Sequence, residues 1–152
     1  MDPGLQIRMI PHGGPDYQEM VALRYAILRE PLGLKFTEEE LESEKEDLLV
    51  GGFGGVDPAS SFLLGCFVLR PGDAGWVRLR QMAVREDFRG KGIGSALLRY
   101  AEELALQRGF HTLMLHARQG ASRFYLASGY QPAGQPFLEV GIPHIEMRKS
   151  LL

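Results

Sequence analysis

The chain has a single cysteine, Cys66, so it can hold no internal disulfide, and oxidising conditions offer its fold no support. Charge of one sign is also missing. With 17 basic and 19 acidic side chains the formal net charge is -2, which gives no global field towards nucleic acid or an anionic membrane. Any anion it binds must be captured locally. Long apolar runs are absent as well: Phe62–Leu69 is far short of a membrane span, and residues 1–10 lack the apolar core of a signal peptide. These absences point to a cytoplasmic protein without a nucleic-acid or membrane partner. His12 and His111 fall at the edges of elements and His116 stands alone on a strand, so no metal is expected.

What is present is one ordinary globular composition. The 152 residues, 45% hydrophobic and 24% charged, suit a single domain over 1–152 with one core. Leu5, Ile7 and Met9 alternate as a short half-buried strand, and a first helix capped by Asp16 is predicted to run to about Glu30, before Pro31. Thr37–Asp47 (TEEELESEKED) carries seven carboxylates against one lysine. Thr37 and Glu40 have the spacing of a capping box, and a short solvated helix is favoured there over a substrate-facing role. Leu48–Phe53, Phe62–Leu69 and Trp76–Val84 read as three strands of a meander, with Cys66 buried as a packing residue. The second half alternates: a helix over 92–107, a strand over 111–117, a helix over 120–128 and two strand-like stretches. Strand, helix and strand in that order imply crossovers with neighbouring parallel strands, hence an α/β fold.

The chemistry concentrates in Trp76–Ser95, WVRLRQMAVREDFRGKGIGS, where a strand runs into a glycine-rich turn and a helix. Free backbone N–H groups at a helix start attract anions, glycines let a diphosphate approach, and Arg89 and Lys91 add charge. The spacing is neither a Walker loop nor G-x-G-x-x-G, and on their own the glycines suit a structural loop equally well. The strand before the turn narrows the reading. Val77 and Leu79 occupy one phase of the alternation and Met82 and Val84 the other, so a β-bulge is predicted near Arg80 and Gln81. A bulge frees backbone groups that the two amides of pantetheine can pair with, and coenzyme A has the shape to reach both features.

These residues resemble a known group. Arg89-x-x-Gly92-x-Gly94 after Met82-Ala83-Val84 resembles the acyl-coenzyme A motif of the GNAT superfamily of N-acetyltransferases. Phe124-Tyr125 followed by Gly129-Tyr130 is similar to that superfamily's F-Y-x-x-x-G-[FY]. Arg24–Leu34 and Phe137–Met147 are similar to segments of its small bacterial ElaA-like and YjcF-like branch, so the likeness covers nearly the whole chain. The resemblance implies a GNAT-like mixed sheet, flanked by helices and splayed between its fourth and fifth strands, with acetyl-CoA as co-substrate in the split. Backbone groups of Met82, Ala83 and Val84 would meet pantetheine; Arg89, Gly90, Lys91, Gly92, Ile93, Gly94 and Ser95 would surround the diphosphate. It further implies acetyl transfer to a primary amine of an unidentified small molecule or peptide.

That reaction needs a base for an amine titrating near ~10.4, a donor for the oxyanion and an acid for the leaving thiolate. Tyr125 resembles the usual acid. Glu139 and His144, on either side of a Gly141-Ile142-Pro143 turn, are candidates for the base by resemblance to the branch's tail, and imidazole's reference pKa near ~6.5 favours His144. Two departures stand out. Arg78, Arg80 and Gln81 occupy the strand where many relatives place a carboxylate, and Arg118 replaces an asparagine, to contact phosphate or face water. The alternative to an enzyme is an acyl-CoA-binding or interaction module without turnover. A homodimer formed by pairing of the final strand is also open.

Overall fold

The computed structural model describes residues 4–55, 57 and 60–152. Seven strands, β1 (Gln6–Met9), β2 (Leu48–Gly54), β3 (Phe62–Pro71), β4 (Trp76–Val84), β5 (Thr112–Arg118), β6 (Gln131–Glu139) and β7 (Ile142–Ser150), form one sheet in the order β1-β2-β3-β4-β5-β7-β6. The first four make an antiparallel meander. Helix α3 (Ile93–Gln107) then carries the chain across the sheet, so that β5 lies parallel to β4. Helix α4 (Ser122–Ala127) does not repeat the step: β7 inserts antiparallel between β5 and β6. Both edges of β7 are therefore paired, which closes the route to a dimer through the final strand. The open edge on this side of the sheet belongs to β6, where Pro132, Pro136 and Gly134 at φ +79° break the row of donors.

Alternating side chains divide the core between the two faces of the sheet. Val50, Phe67, Leu79, Leu113 and Leu115 pack with Leu97, Leu98 and Ala101 of α3. On the other face Leu49, Phe53, Cys66, Val68 and Ala83 pack with Tyr17 and Met20 of α1 (Pro15–Arg24). Glycine sets how near α3 can lie. A Cβ at Gly65 would stand 2.8 Å from Leu97 Cδ1, and one at Gly52 3.3 Å from Cδ2, so Leu97 rests directly on bare backbone. Cys66 is wholly enclosed, and burial pushes its thiol up to about 12.

Helix α1 is capped by Gly14, with Pro15 at its first position, instead of by Asp16. Asp16 lies in the first turn and accepts from Arg8 at 2.9 Å. Beyond Arg24 the helix widens into a π-helical turn, Tyr25–Arg29, and tightens over Glu30–Leu32. The acidic segment also differs from expectation. Helix α2 covers only Glu38–Glu42, with both hydrogen bonds of the Thr37–Glu40 capping box in place. Its carboxylates, however, are structural as much as solvated: Glu40 pairs with Arg29, Asp47 with Arg70, and Glu44 is buried against Arg24 and Tyr17.

Candidate active site

The site begins where the sheet comes apart. β4 and β5 pair only from Trp76 to Leu79 and from Thr112 to Leu115, after which the two strands no longer face each other. The cause is the bulge at the predicted place. Cys66 faces Ala83 while Val68 faces Arg80, so β4 advances three residues against two of β3, and Gln81 takes a φ of +55°. Val77 and Leu79 before the bulge, and Met82 and Val84 after it, all turn towards the α3 core. Gln81 and Met82 have no paired residue on either neighbouring strand. A cavity of about 490 Å³ occupies the divergence.

At the far end of β4 the chain enters the glycine turn. Gly92, at φ +80°, caps α3, and Gly90 lies at φ +77°. The first intrahelical bond runs from Ala96 N–H to the Gly92 carbonyl, so the N–H groups of Ile93, Gly94 and Ser95 precede the ladder. A Cβ on Gly90 or Gly92 would meet no atom within 4 Å: the space over these backbones is open. Arg89 and Lys91 are exposed, Lys91 lies over the Phe88 ring, and neither pairs with a carboxylate among the described residues. The Ile93 side chain anchors the turn in the core, and Ala83 is buried in the opposite core, so both can offer a ligand only backbone.

Tyr125 projects from α4 into the same cavity, its hydroxyl 3.8 Å from the Met82 sulfur. Edge contacts with Phe124 and Tyr130 fix the ring, and burial pushes its pKa up to about 12. Across the cavity stands the β6–β7 hairpin. Its turn is Val140-Gly141, at φ +46° and +78°, one residue earlier than expected, with Pro143 already in β7. A β-branched residue at positive φ is strained, and Val140 lines the cavity.

His144 is 4% exposed, and its Nδ1 lies 2.9 Å from the Ile142 carbonyl. That contact requires an Nδ1–H donor, so the neutral ring keeps its lone pair on Nε2. Nε2 lies 3.7 Å from Glu139 Oε2. The other carboxylate oxygen, Oε1, is 2.9 Å from His116 Nδ1 and 3.5 Å from Arg78 Nη2. His116 Nδ1 is also 2.8 Å from Arg78 Nη2; it can donate to Glu139 or accept from Arg78, one at a time. Burial opposes ionisation of Glu139, but its hydrogen bond to His116 and the charges around it outweigh burial and hold the carboxyl below its usual range.

His116 and Arg78, to which the sequence reading gave no role, thus join Glu139 and His144 in one cluster. Their signal was the alternation of β4 and β5, which turns Arg78, Arg80, His116 and Arg118 to the face opposite Leu79 and Leu115. Arg118 does not simply face water: its Nη2 donates to the Leu28 carbonyl at 3.0 Å and ties the π turn to β5. None of residues 38–47 lines the cavity. Among the described residues no group of three or more His, Cys, Asp or Glu side chains could hold a metal, and no helix is long and apolar enough to cross a membrane.

The family model of the acetyltransferase (GNAT) domain matches residues 63–151. The chain belongs to the GNAT acetyltransferase family. Among relatives of this GNAT chain, Bacillus subtilis YjcF, an uncharacterized N-acetyltransferase, is 31% identical over 113 residues, 74% of this chain and 75% of that one. The match to B. subtilis YyaT, 32% identical over 74 residues, spans only half the length of that protein and 49% of this one. A crystal structure from Lactobacillus plantarum, described as an N-acetyltransferase, superposes with a TM-score of 0.84 at 28% identity, covering 98% of this chain and 99% of its own. A GNAT acetyltransferase of Elizabethkingia anophelis with acetyl-CoA bound has the same fold, with a TM-score of 0.73 at 19% identity over 98% and 99% of the two chains. The GNAT fold accounts for the mixed sheet and for its parting between β4 and β5.

Proposed function

We propose that the chain is an N-acetyltransferase taking acetyl-CoA as donor and a primary amine of a small molecule or peptide as acceptor. One observation carries the reading: a single cavity is bordered by the unpaired bulge at Met82, by Arg89 of the glycine turn, by Tyr125 and by the Glu139–His144 pair. The residues fit the coenzyme. Backbone of Met82, Ala83 and Val84 borders the pantetheine arm, and the N–H groups of Gly92, Ile93, Gly94 and Ser95, with Gly90, Arg89 and Lys91, receive the diphosphate. Acetyl-CoA supplies a thioester whose acetyl carbon forms the new C–N bond as the C–S bond breaks, releasing the thiol and one proton from an ammonium acceptor.

In this reading His144 takes the amine proton at Nε2. The bond from Nδ1–H to the Ile142 carbonyl fixes the tautomer, and the ionised Glu139 beside Nε2 stabilises the imidazolium. Glu139 therefore acts beside the base, not as the base itself. Tyr125 donates its hydroxyl proton to the departing sulfur, and an unpaired N–H of the bulge is the donor nearest to hand for the carbonyl oxygen. The test is release of free thiol from acetyl-CoA across a panel of amines, run with wild type and with His144→Asn. Turnover that falls by at least about a hundred-fold in the variant, a general-base loss, supports the assignment. Binding of acetyl-CoA without thiol release from any amine would leave a coenzyme-binding module in its place.

A further inference from the structure

Five arginines, Arg29, Arg78, Arg80, Arg89 and Arg118, line the cavity against a single carboxylate, Glu139. Not all of that charge is free. Glu40 neutralises Arg29, Arg118 is held by a neutral carbonyl, and Arg89 belongs to the glycine turn at the other end of β4. Arg78 shares Glu139 with two histidines, and its Nε is buried with no hydrogen-bond partner. Arg80 is half-buried, and its side chain has no hydrogen bond or ion pair among the described residues.

The setting of Arg80 makes this unusual. Burial acts against its charge, Arg70 and Arg78 add to that, and together they outweigh Glu44 and Asp47. Those two carboxylates are themselves engaged by Arg24 and Arg70. A buried cation without a counter-charge is costly, and a guanidinium fork is matched to carboxylate or phosphonate oxygens. Nor do these groups serve the diphosphate. Arg78 and Arg80 leave β4 before the bulge, on the face opposite Val77 and Leu79, which pack against α3. Arg78 stands instead beside Glu139, and so beside His144, and Arg80 lines the same cavity two residues further along β4.

Resting on the acetyltransferase reading above, we infer that the acceptor is a small zwitterionic amine whose anionic group is held by Arg80 and Arg78 while its amine faces Glu139 and His144. A purely cationic acceptor, such as a polyamine, would meet four guanidinium groups beyond the glycine turn and one carboxylate already shared three ways.

The experiment measures thiol release from acetyl-CoA with glycine, β-alanine, 4-aminobutyrate and L-phenylalanine, each beside its carboxamide, with aminomethylphosphonate as a second anion and putrescine as the cationic control. Wild type is expected to favour the best carboxylate over its amide by at least about ten-fold in kcat/KM, the effect of one hydrogen bond to a charged group. In Arg80→Gln that ratio falls towards one, while the melting-temperature rise given by acetyl-CoA is retained; Arg80→Lys recovers part of the ratio. Faster turnover of putrescine or of the amides by wild type overturns the inference and leaves the acetyltransferase reading standing. So does a ratio unchanged in Arg80→Gln. Absence of thiol release with every acceptor overturns both.

Discussion

Replacing Glu44 by Gln removes one charge from the most enclosed ion pair among the described residues and changes little else in shape. Arg24 is 0% exposed; its Nη1 and Nη2 donate to the two Glu44 oxygens at 2.9 and 2.7 Å, and the Tyr17 hydroxyl adds a third bond at 2.6 Å. In Glu44→Gln the guanidinium remains buried, stacked on Phe36, with an amide that can accept at only one atom. Breaking one side of a buried pair costs about 3–5 kcal/mol, and at roughly 2–4 °C per kcal/mol for a chain of this size the melting temperature falls by roughly 6–20 °C. Urea unfolding at pH 7 measures the free energy directly, and the Arg24→Met, Glu44→Met double variant should restore most of it. The dependence on pH has a definite sign. Burial opposes ionisation of Glu44, but Arg24 and Tyr17 outweigh it and hold its pKa below the ordinary 4.5. Its contribution is therefore fully present above pH 4.5 and is lost as pH falls through the lower folded value, a slope that the Gln variant lacks. A loss below about 1 kcal/mol in Glu44→Gln, within the range of surface pairs, would refute this account of the acidic segment.

Two further outcomes follow from the cavity. Gly92→Val should abolish the melting-temperature rise given by acetyl-CoA. The cause is a side chain entering the open space above the turn; no protein atom is in its way, so the cost is confined to the strain of a β-branched residue at φ +80° and the variant should still fold. Retained affinity would move the diphosphate site elsewhere. Tyr125→Phe should lower single-turnover transfer by about ten-fold or more while leaving coenzyme affinity intact. Because burial pushes the Tyr125 hydroxyl up to about 12, it stays protonated well above neutrality, and wild type should show no basic limb from this group below pH 10. A limb near pH 9 that vanishes in the Phe variant would contradict the buried, protonated donor.

Local pattern carried much of this molecule into the sequence. The bulge was legible because Val77 and Leu79 fall out of phase with Met82 and Val84, and the open turn before α3 because glycine and helix start coincide. Long-range partners left no such trace. Glu44 meets Arg24 and Asp47 meets Arg70 at separations of 20 and 23 residues, so a run of like charges looked solvated when part of it was already engaged. His116 was equally opaque, since Glu139 reaches it from a strand two places away in the sheet. Strand order itself was hidden: nothing in the alternation of residues 131–150 says which of the two stretches lies inside.

The position of β7 fixes when the molecule can be completed during synthesis. Until residues 142–150 have emerged from the ribosome, β5 has one neighbour and β6 has none, although residues 5–118 can already pair as a five-stranded half. The nascent chain thus holds its glycine turn and bulge early, whereas Glu139 cannot be aligned with His116 until the hairpin folds back over β5. A chain stalled before Ile142 exposes the bare edge of β5, a template for pairing with another chain, and lacks the side of the cavity that Glu139, Val140 and His144 supply.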